Sequence, residues 1–189
     1  MKNKGKLIVI SGPSGVGKGT ICRQLLEECE DLVLSVSATT RAPRVEDKEG
    51  VTYYFKNREE FEQMIARGDF LEWAIYNNNY YGTPCLPVEE KLNQGMNVLL
   101  EIDVQGALHV KKNFPEGVYI FIAPPDTETL YSRLRGRGTE NPEEIARRVD
   151  AATLELSKQN EYDYIVINDV LQQAVEDVKE IIKGRSERI

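Results

Sequence analysis

The stretch that most limits what this chain can fold into is LIVISGPSGVGKGTICRQLLEEC, residues 7–29. Its first five residues are a continuous apolar, β-branched run, which predicts a strand covered on both faces. ICRQLLEEC, residues 21–29, has helical spacing. The loop between them, GPSGVGKGT, fits G-x-x-x-x-G-K with Gly12, Gly17 and Lys18 in register. Such a loop turns backbone N–H groups toward one point, the helix N-terminus adds positive potential, and the lysine reaches the outer oxygens of a phosphate chain. The predicted cradle is Gly12, Pro13, Ser14, Gly15, Val16, Gly17, Lys18, Gly19 and Thr20. Gly19 occupies the place where a Ser or Thr usually gives its hydroxyl to magnesium. No metal-ligating residue is therefore assigned, and Mg²⁺ is expected to be held mainly by nucleotide phosphates and water.

The rest of the chain repeats the strand-then-helix rhythm. VLSVS (33–37), NVLLEID (97–103), VYIFIA (118–123) and YIVIN (164–168) are buried-type strands. Helical patterns cover 107–112, 127–135, 142–159 and 171–183, with Asn141 and Pro142 as a helix entry. Alternation of this kind predicts an α/β protein, a three-layer sandwich around a central parallel sheet. At 189 residues it is expected to be one domain, with a core of about 1–37 and 94–189. Residues 38–93 break the rhythm with short aromatic segments (TYYF, EWAIY, NYY) around a helical REEFEQMIARG. They predict a small mixed α/β insertion with its own antiparallel strands.

Net charge is -7, which argues against non-specific binding to nucleic acid or to anionic membranes. Any bound anion must be met by a local cluster of cations. No apolar run approaches the roughly 18 residues that span a bilayer. Three cysteines without metal spacing fit a reducing compartment, so a cytoplasmic location is expected. Patterning identifies no interface, and the oligomeric state stays open.

Two such cationic clusters exist. SVSATTRAPR places Arg41 and Arg44 three residues apart, beyond the second strand at the crevice end of the sheet, with Tyr53 and Tyr81 as phenolic donors. Guanidinium forks suit phosphate oxygens, so this stretch is a receptor for a second phosphate, that of a nucleoside monophosphate. In SRLRGRGTE, Arg133 and Arg137 are four apart on one helical face, Gly136 and Gly138 follow as hinges, and Arg147 and Arg148 lie on the next helix. This segment, about 133–148, reads as a helical lid. Its arginines either neutralise a helix C-terminus or stabilise a transferred phosphoryl group. Asp103 ends a strand where an acid faces the ligand crevice, a role compatible with capping the next helix. Glu72 stands among large apolar residues in FLEWAIY. It is either a solvent-facing strand position or a base reader, since a carboxylate can accept the N1 and N2 hydrogens of guanine and would repel the bare N1 of adenine. The only histidine, His109, is read as structural. A phosphate acceptor with its second pKa near 6 is ionised at neutral pH and needs no general base.

GPSGVGKGT, SVSATTRAPR, GVTYYF, FLEWA, NYYGTP, EIDVQG, IFIAPP, RLRGRGTE and IVIND stand in an order and spacing that resemble guanylate kinases along nearly the whole chain. The resemblance implies transfer of the ATP γ-phosphoryl group to GMP, with ATP and GMP as small-molecule partners. It implies that Lys18 and its loop, together with Asn168, bind ATP. Ser37, Glu72, Thr83 and Asp103 resemble the guanine readers, and Arg41, Arg44, Tyr53 and Tyr81 the GMP-phosphate clamp. Lys18, Arg41, Arg133, Arg137 and Arg148 resemble the catalytic cations. Thr83 replaces a Ser of some members, and Glu101 an Asp to which no ligand role is assigned. Two other readings remain: an inactive interaction module of the same fold, and a kinase for another phosphorylated small molecule.

Overall fold

The computed structural model describes residues 4–135 and 142–186. Strand β1 (Leu7–Ser11) is buried at all five positions and pairs in parallel with β7 (Asn97–Glu101) on one side and β8 (Val118–Ala123) on the other. β2 (Leu32–Leu34) extends the sheet beyond β7, and β9 (Tyr164–Ile167) beyond β8, giving the parallel order β2-β7-β1-β8-β9. The two-residue strand period sorts β1 between two cores. Ile8 and Ile10 pack with Ile21 and Leu25 of α1 (Lys18–Glu28), Leu130 of α5 (Thr127–Arg135) and Val178 of α7 (Leu171–Ile182). Leu7 and Val9 pack on the other face with Val88 and Leu92 of α3 (Cys85–Asn93) and Val104 and Val110 of α4 (Val104–Asn113). Burial on both faces is why these strands carry no polar alternation. Helix α6 (Pro142–Leu156) buries Ala152 against the first core.

A second sheet, in the order β4-β3-β6-β5, comes from residues 38–84. β5 (Phe70–Tyr76) and β6 (Asn79–Pro84) form an antiparallel hairpin whose turn residues Asn77 and Asn78 have φ of 46° and 62°. Asparagine tolerates that left-handed region, and a two-residue turn of this hand matches the twist of the strands. Helix α2 (Arg58–Arg67) opens with a reciprocal capping box between Asn57 and Glu60. Its buried Phe61 stacks on Phe70 (4.4 Å) and Tyr80 (5.1 Å), which anchors the helix to the hairpin.

Three sequence expectations change. The strand expected over 97–103 ends at Glu101, because Asp103 turns out of the sheet to cap α4. The second strand ends at Leu34 instead of reaching Ser37, because the chain leaves the main sheet there to supply β3 (Ala38–Thr39) to the small one. That small sheet is not wholly antiparallel: β3 pairs in parallel with β4 (Tyr54–Phe55) and antiparallel with β6. No helix among the described residues is long and apolar enough to cross a membrane.

Candidate active site

The loop after β1 lies at the carboxyl ends of the parallel strands, where open α/β sheets bind ligands. A cavity of about 370 Å³ opens there, walled by Ser14, Gly15 and Gly17 to Thr20, with Arg23 and Glu101. Gly17 has φ +99°, and a Cβ built on it would lie 2.5 Å from Asn168 Nδ2, so only glycine fits. That Nδ2 donates to the Val16 carbonyl at 2.7 Å. Asn168 thus braces the loop from beneath and lies outside the cavity wall. Val16 turns its side chain into the core. Lys18 Nζ donates to the carbonyls of Gly12 (2.6 Å) and Pro13 (3.0 Å). Burial pushes its pKa down, and the carboxylates of Glu155, Glu101 and Asp103 oppose the shift.

A second cavity of about 280 Å³ lies between the two sheets, with Ser37, Tyr53, Glu72, Tyr81 and Asp103 in its walls. Glu101 lines it as well, so one side chain borders both cavities. Glu72 is buried at 9% exposure, and Thr83 Oγ1 donates to its Oε1 at 2.6 Å from a fully buried position. Desolvation pushes the Glu72 carboxyl above its ordinary range; the Thr83 hydroxyl pulls it back, and Asp103 pushes it further up. Asp103 caps α4 by accepting the Gly106 N–H at 2.7 Å, so the capping and cavity-lining roles coexist.

The predicted arginine fork takes a different form. Arg41 lies over the ring of Tyr53, 5.3 Å from its centroid, and Tyr53 meets Tyr81 edge-on at 6.0 Å. These three form one unit. Arg44 is exposed, and the Arg41 guanidinium is turned onto Asp47 Oδ2 at 2.8 Å. The Arg44 N–H also donates to that oxygen, at 2.7 Å. Asp47 thus neutralises the loop from within.

Of the lid cations, Arg133 approaches the Asn168 carbonyl at 3.4 Å through both terminal nitrogens, and Arg148 Nη2 donates to Ser14 Oγ at 3.2 Å. Arg148 therefore reaches the loop from α6, whereas Arg133 reaches from α5 to Asn168, the residue that braces the loop. Arg137, Gly136, Gly138 and Asn141 lie outside the described residues. His109 is exposed on α4, away from both cavity walls. Sequence reasoning passed over Asp47 and Glu155 and gave Glu101 no ligand role. Asp47 had a local signal, an acid six residues from Arg41, whereas Glu155 meets a loop some 140 residues earlier and had none.

A family model described as guanylate kinase matches residues 4–185. A guanylate kinase of Caldanaerobacter subterraneus subsp. tengcongensis is 52% identical over 189 residues, covering 100% of this chain and 92% of the relative. One of Oceanobacillus iheyensis is 53% identical over 184 residues, covering 97% and 89%. The crystal structure of guanylate kinase from Anaplasma phagocytophilum superposes with a TM-score of 0.73 at 35% identity, covering 97% of this chain and 87% of that one.

Proposed function

Because the chain belongs to the guanylate kinase family and transfers a phosphoryl group from ATP to GMP, we propose that the two adjoining cavities are its donor and acceptor sites. The observation that carries this assignment is Glu101, whose side chain walls both cavities and so puts them back to back. In this reading the loop Gly12–Thr20 and Lys18 hold the ATP phosphates, and Asn168 supports them through Val16. Glu72 and Asp103 accept the guanine N–H groups, Thr83 orients Glu72, and Ser37 completes the base pocket. Arg41, Tyr53 and Tyr81 bind the GMP phosphate, Arg41 leaving Asp47 to do so, and Arg44 joins them. Residues 38–93 form the acceptor-binding insertion on a core of 1–37 and 94–189. Residues 133–148 form the lid, whose Arg133, Arg137 and Arg148 close over the transferred group and keep water out.

Chemistry follows from position and charge. The attacking oxygen belongs to a phosphate already ionised at neutral pH, so no residue has to remove a proton. Lys18 and the arginines offset charge that spreads over the transferred oxygens. Mg²⁺ would be held mainly by the nucleotide phosphates and water, and the residues beside the loop fit that mode. Gly19 offers no hydroxyl, and Glu101 stands beside it, 3.4 Å from where a Cβ would be. Glu101 would hold the ion through water, and the ion would supply charge neutralisation between donor phosphates. We place the protein in the cytoplasm, a reading supported by its three free thiols. It acts on nucleotides and not on nucleic acid or membranes.

The test separates the two sites. In a coupled ADP-release assay, Arg41→Ala raises KM for GMP by at least about tenfold with little change in KM for ATP. Lys18→Ala lowers turnover with any acceptor. A Lys18→Ala enzyme with wild-type turnover, or an Arg41→Ala enzyme with wild-type KM for GMP, overturns the corresponding assignment.

A further inference from the structure

Helix α6 touches the phosphate-binding loop twice at one residue. Arg148 donates to the Ser14 hydroxyl, and the Ser14 N–H donates to Glu155 Oε2 at 3.4 Å. Glu155 follows Arg148 by seven residues, which is two helical turns, so both project from one face of α6. Ser14 lines the loop cavity. A carboxylate therefore sits on an N–H group that such a loop presents to a bound anion. It also lies within the field of Lys18. Among the carboxylates opposing the burial of that ammonium Glu155 is the strongest, and Lys18 in turn is the main charge steadying the half-buried Glu155.

A glutamate and a phosphate oxygen are both anionic acceptors. They compete for the same donor, and two anions side by side repel each other. We propose that Glu155 is a resident anion of the donor site: it occupies the Ser14 amide that a donor phosphate would otherwise take. The phosphates of ATP displace its carboxylate from that amide, which ties loading of the donor to the breaking of this one contact of α6 while Arg148 stays at the loop. This rests on the reading of the loop cavity as the ATP site. It makes Glu155 a positioning residue whose presence lowers donor affinity. Glu155 contacts the donor loop directly at Ser14, whereas of the acceptor cavity walls only Asp103 acts on it, as the smallest of its influences, so GMP binding feels it far less than ATP does.

The experiment is calorimetric titration of the intact protein and its variants with ATP, with inorganic tripolyphosphate and, separately, with GMP. Glu155→Gln keeps the shape and removes the charge. Its Kd for ATP and for tripolyphosphate falls about five- to tenfold relative to wild type, while its Kd for GMP stays the same. Glu155→Ala, which removes the acceptor altogether, shifts both donors in the same direction. A donor affinity that is unchanged or weaker in both variants overturns the proposal, as does an equal loss for all three ligands, the mark of a purely structural role. Lys18→Ala is the control for the underlying reading. If it binds ATP as wild type does, the donor-site assignment itself fails, whatever Glu155 does.

Discussion

Thr83 Oγ1 donates to Glu72 Oε1 at 2.6 Å, and both side chains are buried between the hairpin and α4. A carboxylate in that position is held for something other than stability. One hydroxyl only partly offsets its loss of water, and its pKa stays raised. Glu72 lines the cavity between the two sheets, where in the proposed acceptor site guanine would supply paired N–H donors.

Glu72→Gln keeps the bond from Thr83 and loses the charge. The kcat/KM for GMP is expected to fall about 100-fold in a coupled assay. The sign for stability is the opposite. The folded carboxyl binds its proton more tightly than the ordinary value of 4.5, so wild-type stability falls as pH rises from that value through the raised one. The variant should therefore melt above wild type at pH 7 and lose that advantage below 4.5 in calorimetric scans. Equal melting temperatures at pH 7 would show that the buried charge carries no penalty.

Gly17 and Asn168 are coupled through space. A methyl on Gly17 collides with Asn168 Nδ2 and must also adopt φ +99°, so Gly17→Ala should destabilise by about 1–3 kcal/mol in urea unfolding. Asn168→Ala strips the buried partner from the Val16 carbonyl, a loss of about 1–3 kcal/mol. The double variant should lose less than the sum, since the second change removes the first collision. Strict additivity would mean the loop does not rest on Asn168.

Tyr162 OH and Ser11 Oγ are buried without a hydrogen bond of good geometry among the described residues, although the Ser11 hydroxyl lies near enough to pull the phenol down slightly. Burial pushes the Tyr162 phenol up to about 12. Tyr162→Phe removes the unpaired hydroxyl and should raise unfolding stability by about 1 kcal/mol. A loss of stability instead would show that the hydroxyl is paired in solution.

Asp47 gathers Arg41 and the Arg44 N–H onto one oxygen, and these contacts hold its carboxyl below the ordinary range, the Arg44 N–H most of all. Asp47→Ala leaves the loop without that tie. KM for GMP should rise about tenfold while KM for ATP stays put, because the ordering of the acceptor loop then has to accompany binding. An unchanged KM for GMP would show that Arg41 and Arg44 are positioned without it.

Short-range order determined most of what could be read from the chain. The run LIVIS, the loop that follows and the helix after it each rest on neighbours within a few residues, and all form as their patterns require. The same holds for α5, which spans Thr127–Arg135 as its spacing predicts. Periodicity likewise revealed a parallel sheet, since strands buried on both faces show no polar alternation. Boundaries that depend on which sheet a residue joins, such as the end of β2 and the parallel partner of β3, were not legible locally.

By itself, then, the sequence determined the phosphate loop, the order of strands and helices, and the residue types available to grip two anions. Only the tertiary structure decided how the charges are matched. It put Glu155 against Ser14, Asp47 against Arg41, and Glu101 in the wall shared by both cavities. The physical reason is range. Backbone conformation and periodicity are set by near neighbours, whereas a charge is answered by whichever partner folding brings within a few ångströms, however distant in the chain.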